Sequence, residues 1–105
     1  MPHPVGHLAV DADGLVLKPG VTYHGGVCVA SSGGAATVTV YDSVDASGDV
    51  IDEFSPAQSK SDRHPPDRGV IIRRGLYVDL GSNVDSFVVY FSPEAPQPSQ
   101  DARAL

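Results

Sequence analysis

The chain has no tryptophan, one methionine (Met1), one cysteine (Cys28) and no long apolar run. Each absence closes off a class. A lone thiol cannot form an internal disulfide, so the stapled frameworks of small secreted domains are excluded and folding in a reducing cytosol is expected. A membrane-spanning helix needs about 20 consecutive apolar residues, and no run comes near that length. The opening Met-Pro-His-Pro-Val-Gly-His lacks the cationic and apolar segments of a signal peptide. Basic residues are scarce as well, seven Lys and Arg against thirteen Asp and Glu, for a net charge of -6. That balance opposes a phosphate-neutralising surface, so neither nucleic acid nor an anionic membrane is an expected partner. No segment keeps a helical period.

What is present is glycine (11), proline (9) and short β-prone runs, over a length that makes one modest domain. The stretch at residues 27–42 organises the chain: Val-Cys-Val-Ala, then Ser-Ser-Gly-Gly, then Ala-Ala-Thr-Val-Thr-Val-Tyr-Asp. Two β-branched runs around a glycine-bearing connection predict a hairpin. Alternation places Ala36, Val38 and Val40 on a core face and Thr37, Thr39 and Tyr41 on a wetter face that could meet a partner.

Residues 1–6, with Pro2 and Pro4, read as an extended arm. Residues 7–10 and 15–18 flank Asp13-Gly14 and predict a first hairpin. Residues 21–24 form another short run, stopped or bulged at Gly25-Gly26. Residues 50–54 follow an Asp- and Ser-rich turn, and residues 57–68 read as a polar loop. Positive charge concentrates there and just beyond, at Lys60, Arg63, Arg68, Arg73 and Arg74. Loops of that length are commonly functional. After Val70-Ile71-Ile72, residues 76–80 and 84–91 flank Gly81-Ser82-Asn83 as a further hairpin, with Phe87, Val89 and Phe91 on its core face together with Leu76, Val78 and Leu80. From Ser92 the spaced prolines Pro93, Pro96 and Pro98 forbid a ladder and predict an extended tail. Seven or eight short strands at intervals near ten residues are the pattern of an antiparallel β-sandwich over residues 7–91, jelly-roll or immunoglobulin-like, with arm and tail outside it.

The residues offer little chemistry. Cys28, between Val27 and Val29, reads as a small buried apolar side chain with no base beside it. His3, His7, His24 and His64 lack the paired spacing of a zinc site. Asp42, Asp45, Asp49, Asp52 and Glu53 crowd one turn and the next strand, yet the calcium-loop register with its closing glutamate is missing, so a solvated acidic turn is expected. Neither an enzyme, a cofactor nor a metal is expected.

The order Gly-Gly-Val-Cys-Val-Ala, Ser-Ser-Gly-Gly, Ala-Thr-Val-Thr-Val-Tyr-Asp, a Ser-Gly turn, then Gly-Leu-Tyr-Val-Asp-Leu and Phe-Val-Val-Tyr-Phe resembles the small β-sandwich virion proteins of tailed bacteriophages. It is similar in particular to capsid decoration, or cement, proteins, over about residues 25–91. The resemblance implies a non-enzymatic homotrimer on the capsid exterior, folded in the host cytoplasm, that bridges major capsid protein subunits and stabilises the shell. The family fixes no ligand positions to carry across. Interface residues expected from proline and positive charge are Pro2, His3, Pro4, Lys60, Arg63, His64, Arg68, Pro93, Pro96 and Pro98. Two other roles keep the same fold: a head-tail connector or tail component, and a carbohydrate-binding or adhesion module whose tyrosines would share one patch.

Overall fold

A computed structural model describes residues 6–64 and 69–92. Nine strands follow in order: β1 (Gly6–Ala9), β2 (Gly14–Leu17), β3 (Thr22–Ala30), β4 (Val38–Asp42), β5 (Asp49–Phe54), β6 (Ser61–His64), β7 (Val70–Ile71), β8 (Leu76–Leu80) and β9 (Val84–Ser92). There is no helix among the described residues. Sheet A has the order β1-β9-β3-β6, with β7 also paired to β3; sheet B has the order β2-β8-β4-β5. Every pairing is antiparallel, and the two sheets pack into a β-sandwich.

The core is where alternation predicts it. Ala36, Val38, Val40, Leu76, Val78, Phe87 and Val89 are buried, and Leu80 and Phe91 pack against them partly covered. Phe54 of sheet B meets Phe87 of sheet A edge-on, ring centroids 5.0 Å apart, so the contact joins the two layers. Burying one such side chain is worth about 1.5–3 kcal/mol relative to exposing it.

The predicted hairpins are different objects. Residues 7–10 and 15–18, 27–30 and 36–42, and 76–80 and 84–91 are each split between the sheets, as β1 and β2, β3 and β4, and β8 and β9. The turn chemistry is right and the partner is wrong. A glycine- or Asx-rich reversal serves equally to lay a strand beside its predecessor or to arch it over the core, and two amphipathic strands facing each other across the core satisfy the same alternation. Among the described residues, β4 and β5 make the hairpin between consecutive strands, joined by residues 43–48. The arches are bonded to one another: Ser31 N donates to Asn83 O at 2.8 Å and Asn83 Nδ2 to Ala35 O at 3.1 Å. Asn83 takes φ 64°, which asparagine tolerates better than most residues.

At Gly25-Gly26 the chain bulges and continues. The β3–β9 register runs from Tyr23 opposite Phe91 to Gly26 opposite Val89, so β3 holds one extra residue, with Gly25 at φ 102°. A Cβ on Gly26 would lie 2.3 Å from the Val88 carbonyl oxygen, so only glycine lets the two backbones approach this closely. Residues 61–64, predicted as loop, form β6 on the free side of β3. Gly6 and Ser92 belong to the sheet, one residue beyond each predicted domain boundary. Of the predicted arm at 1–6 and tail at 92–105, residues 1–5 and 93–105 lie outside the described residues.

Candidate interaction surfaces

Cross-strand neighbours share a face, so the registers give the outer surface of each sheet row by row. On sheet A, Cys28, Phe87 and Val89 point inward, which turns Val27, Val29, Val88 and Tyr90 outward. Ala9 opposes Val88, Val88 opposes Val27, and Val27 opposes Arg63. This is an apolar row of Ala9, Val88 and Val27 that ends on an exposed cation. His7 and Tyr90 form a second pair beside it.

On sheet B the equivalent row is Leu15, Tyr77, Tyr41 and Val50, one residue from each of four strands. Leu15 is 53% exposed and Val50 49%. The two tyrosine rings meet edge-on at 6.2 Å. Two residues along β8 and β4, and three along β5 across its bulge, the next outward row is Asp79, Thr39 and Glu53, polar and acidic. Past the other side of the Leu15 and Tyr77 end stands exposed Lys18, while Arg73 and Arg74 are exposed where the chain crosses from β7 in sheet A to β8 in sheet B. The backbone amides of both arginines donate to the Asp42 carboxylate, at 3.1 and 2.8 Å, which fixes that corner.

Of the predicted interface residues, the structure places Lys60 and Arg63 on the exterior. His64 turns the other way. Alternation along β6 sends Arg63 out and His64 in, where its ring stacks on Phe54 at 4.0 Å and Nδ1 lies 2.7 Å from Asp52 Oδ1. Tyr23 OH donates to Asp52 Oδ2 at 2.7 Å, and His64 Nε2 lies 3.6 Å from Asp62 Oδ1. This polar chain links β5 at the edge of sheet B to β3 and β6 in sheet A. A histidine between carboxylates resembles part of a hydrolytic triad, but the hydroxyl in the chain, Tyr23 OH, belongs to a fully buried residue and already donates to Asp52. The arrangement is a clasp across the sandwich edge. Its signal in the sequence was Asp52 itself, an acid at an inward position of β5. Pro2, His3, Pro4, Arg68, Pro93, Pro96 and Pro98 lie outside the described residues.

Cys28 is fully buried, and burial, reinforced by the charge of Asp62, pushes its thiol up to about 11, which removes thiolate chemistry near neutral pH. The acidic turn is dispersed: Asp42 serves Arg73 and Arg74, Asp45 accepts from Ser47 N at 2.9 Å, and Asp52 is inside. The Ser47 contacts hold the Asp45 carboxyl below its ordinary value. Among the described residues no three His, Cys, Asp or Glu side chains are placed to hold a metal ion. The four tyrosines do not share a patch, since Tyr23 is in the core, Tyr90 is on the sheet A side and Tyr41 and Tyr77 are on sheet B. Comparison with protein-family models, with curated proteins and with solved structures finds no match to this chain.

Proposed function

We propose that this chain is a structural virion protein of a tailed phage, a non-enzymatic jelly-roll domain that decorates the capsid exterior and bridges major capsid protein subunits as a homotrimer. The sheet order supports the jelly-roll form: β1-β9-β3-β6 over β2-β8-β4-β5 makes successive strands cross between layers, where an immunoglobulin-like order would pair more of them side by side. The observation that carries the role is the row of Ala9, Val88 and Val27 ending on Arg63. An outward row of exposed Ala9 and half-buried Val88 and Val27 offers a partner apolar surface to cover, and the terminal arginine gives the contact electrostatic direction. The prolines at positions 2, 4, 93, 96 and 98 suit further contact with a neighbour, because proline-rich segments lose less entropy when they settle along one.

The purified protein is added to expanded capsids that lack it, and bound copies and the temperature of capsid disruption are measured. Binding over the lattice with a higher disruption temperature is expected, and Arg63→Glu lowers occupancy most at low salt, where exposed charges are least screened. Binding confined to one vertex supports the connector alternative, and no binding at all sinks the decoration role. A carbohydrate-binding module would use a shared tyrosine platform, and the dispersed tyrosines argue against it.

A further inference from the structure

We infer that the outer face of sheet B is a contact between two copies of this chain, related by a twofold axis running along the row Leu15, Tyr77, Tyr41 and Val50. The row itself is apolar across the full width of the sheet, and its two ends are the exposed ones. A twofold along the row lays each of these side chains on its own copy, the self-complementary arrangement of an isologous interface.

The charges beside the row choose the occupant. On one side, at the β2 and β8 end, lie Asp13 and Asp79; on the other lies Lys18, turned outward by the inward placement of Leu17 beside it. Rotation about the row carries the acidic side of one copy over the basic side of the other. A second copy meets both signs at once through the one rotation, which is the self-complementarity an isologous contact uses. At the β5 end the acidic side carries Glu53, while the register places Asp49 with Asp42 and Leu76 in the inward row, so the contact is tightest over Leu15 and Tyr77 and opens toward Val50.

Four strands about 4.8 Å apart and five residues long present roughly 300 Å² in projection, well below the ~800 Å² per partner of a standard stable interface. The dimer is therefore weak and reversible, with a dissociation constant on the order of 10⁻⁴ M. With -6 on each copy, moderate salt strengthens it by screening the overall repulsion. The contact is independent of the capsid role and of the threefold association, which needs two different surfaces and not one self-complementary face.

Sedimentation velocity of the full chain, from about 10 µM to about 1 mM, reads the association directly. A concentration-dependent dimer is expected, weakened at least about tenfold by Leu15→Lys, whose position is half exposed and does not threaten the fold. Asp79→Lys and Lys18→Glu each weaken it, and the double variant recovers it, because the rotation lays position 79 of one copy beside position 18 of the other. A strictly monomeric protein at the highest concentration overturns the inference. So does a dimer indifferent to Leu15→Lys, or a double variant no better than either single one. A trimer that survives Leu15→Lys with no dimer present overturns this contact and leaves the threefold proposal standing.

Discussion

The outer faces of the two sheets obey the same alternation and end with different surfaces. On sheet A the outward valines Val27, Val29 and Val88 are half-buried by their neighbours, and the apolar row stops at a charge, Arg63. On sheet B the row runs edge to edge, with about half of Leu15 and Val50 open to solvent. The difference follows from what flanks each row. Sheet A is built on two nine-residue strands, β3 and β9, so its central row has neighbours along the strands on both sides. Sheet B is built from strands of four to six residues, and its row crosses near the end where β4 turns into residues 43–48. A row inside a broad face is shielded by its own sheet, while a row at the margin of a narrow face depends on what lies opposite.

The largest test of the separation between the layers is to cut what joins them. Asp52 accepts from Tyr23 and lies against His64, so Asp52→Ala removes the acceptor of a buried hydroxyl and the partner of an inward histidine together. Loss of about 3–5 kcal/mol is expected, a large share of the stability of a small domain, as measured by urea unfolding. Tyr23→Phe, which leaves Asp52 and His64 facing each other, costs about 1 kcal/mol. If Asp52→Ala unfolds at the wild-type urea midpoint, the edge is closed by apolar packing alone and the clasp has no energetic role.

How much of this could be read in the sequence divides along the same line. Which side chains face inward was legible, because alternation is local: Val38, Val40, Leu76, Val78, Phe87 and Val89 are in the core as their spacing predicts. Which strand lies beside which was not, because the turns at Asp13-Gly14, Gly33-Gly34 and Ser82-Asn83 reverse the chain identically for a hairpin and for an arch. The apolar rows are invisible for that reason. Leu15, Tyr77, Tyr41 and Val50 come from four strands spread over more than half the chain and become neighbours only through pairing. The inward turn of His64 was not legible because β6, four polar and charged residues long, carries no β-prone signal and owes its strand form to the free edge of β3.

Cys28 gives a sharper test of which side of β3 is inside, of intermediate size. Its thiol is pushed up from 9.0 to about 11 in the folded protein, so the folded state holds the proton more tightly than the unfolded chain. The stability this contributes is fully present below pH 9 and is lost as the pH rises toward about 11. The melting temperatures of wild type and Cys28→Ala, compared from pH 8 to pH 11, should therefore draw together above pH 9, the titration of all other groups being common to both. A gap that stays constant over the whole range would place the thiol in contact with water, and with it the inner side of β3.

The smallest effect on stability separates the two outer faces themselves. Lysine at position 88 must stand among Ala9 and Val27 on sheet A, where valine is half-buried, and its stem can reach solvent only by giving up part of that packing. Lysine at position 15 keeps its ammonium in water, because leucine there is already 53% exposed. In urea unfolding of dilute monomer, Val88→Lys should cost about 1–2 kcal/mol and Leu15→Lys within about 0.5 kcal/mol, both at an unchanged denaturant slope. At high concentration the ranking reverses, since Leu15→Lys breaks the contact between copies while Val88→Lys, on the opposite layer, leaves it intact. Equal costs in dilute solution would mean that the chain covers its own sheet B row, and a row already covered is not available to a second copy.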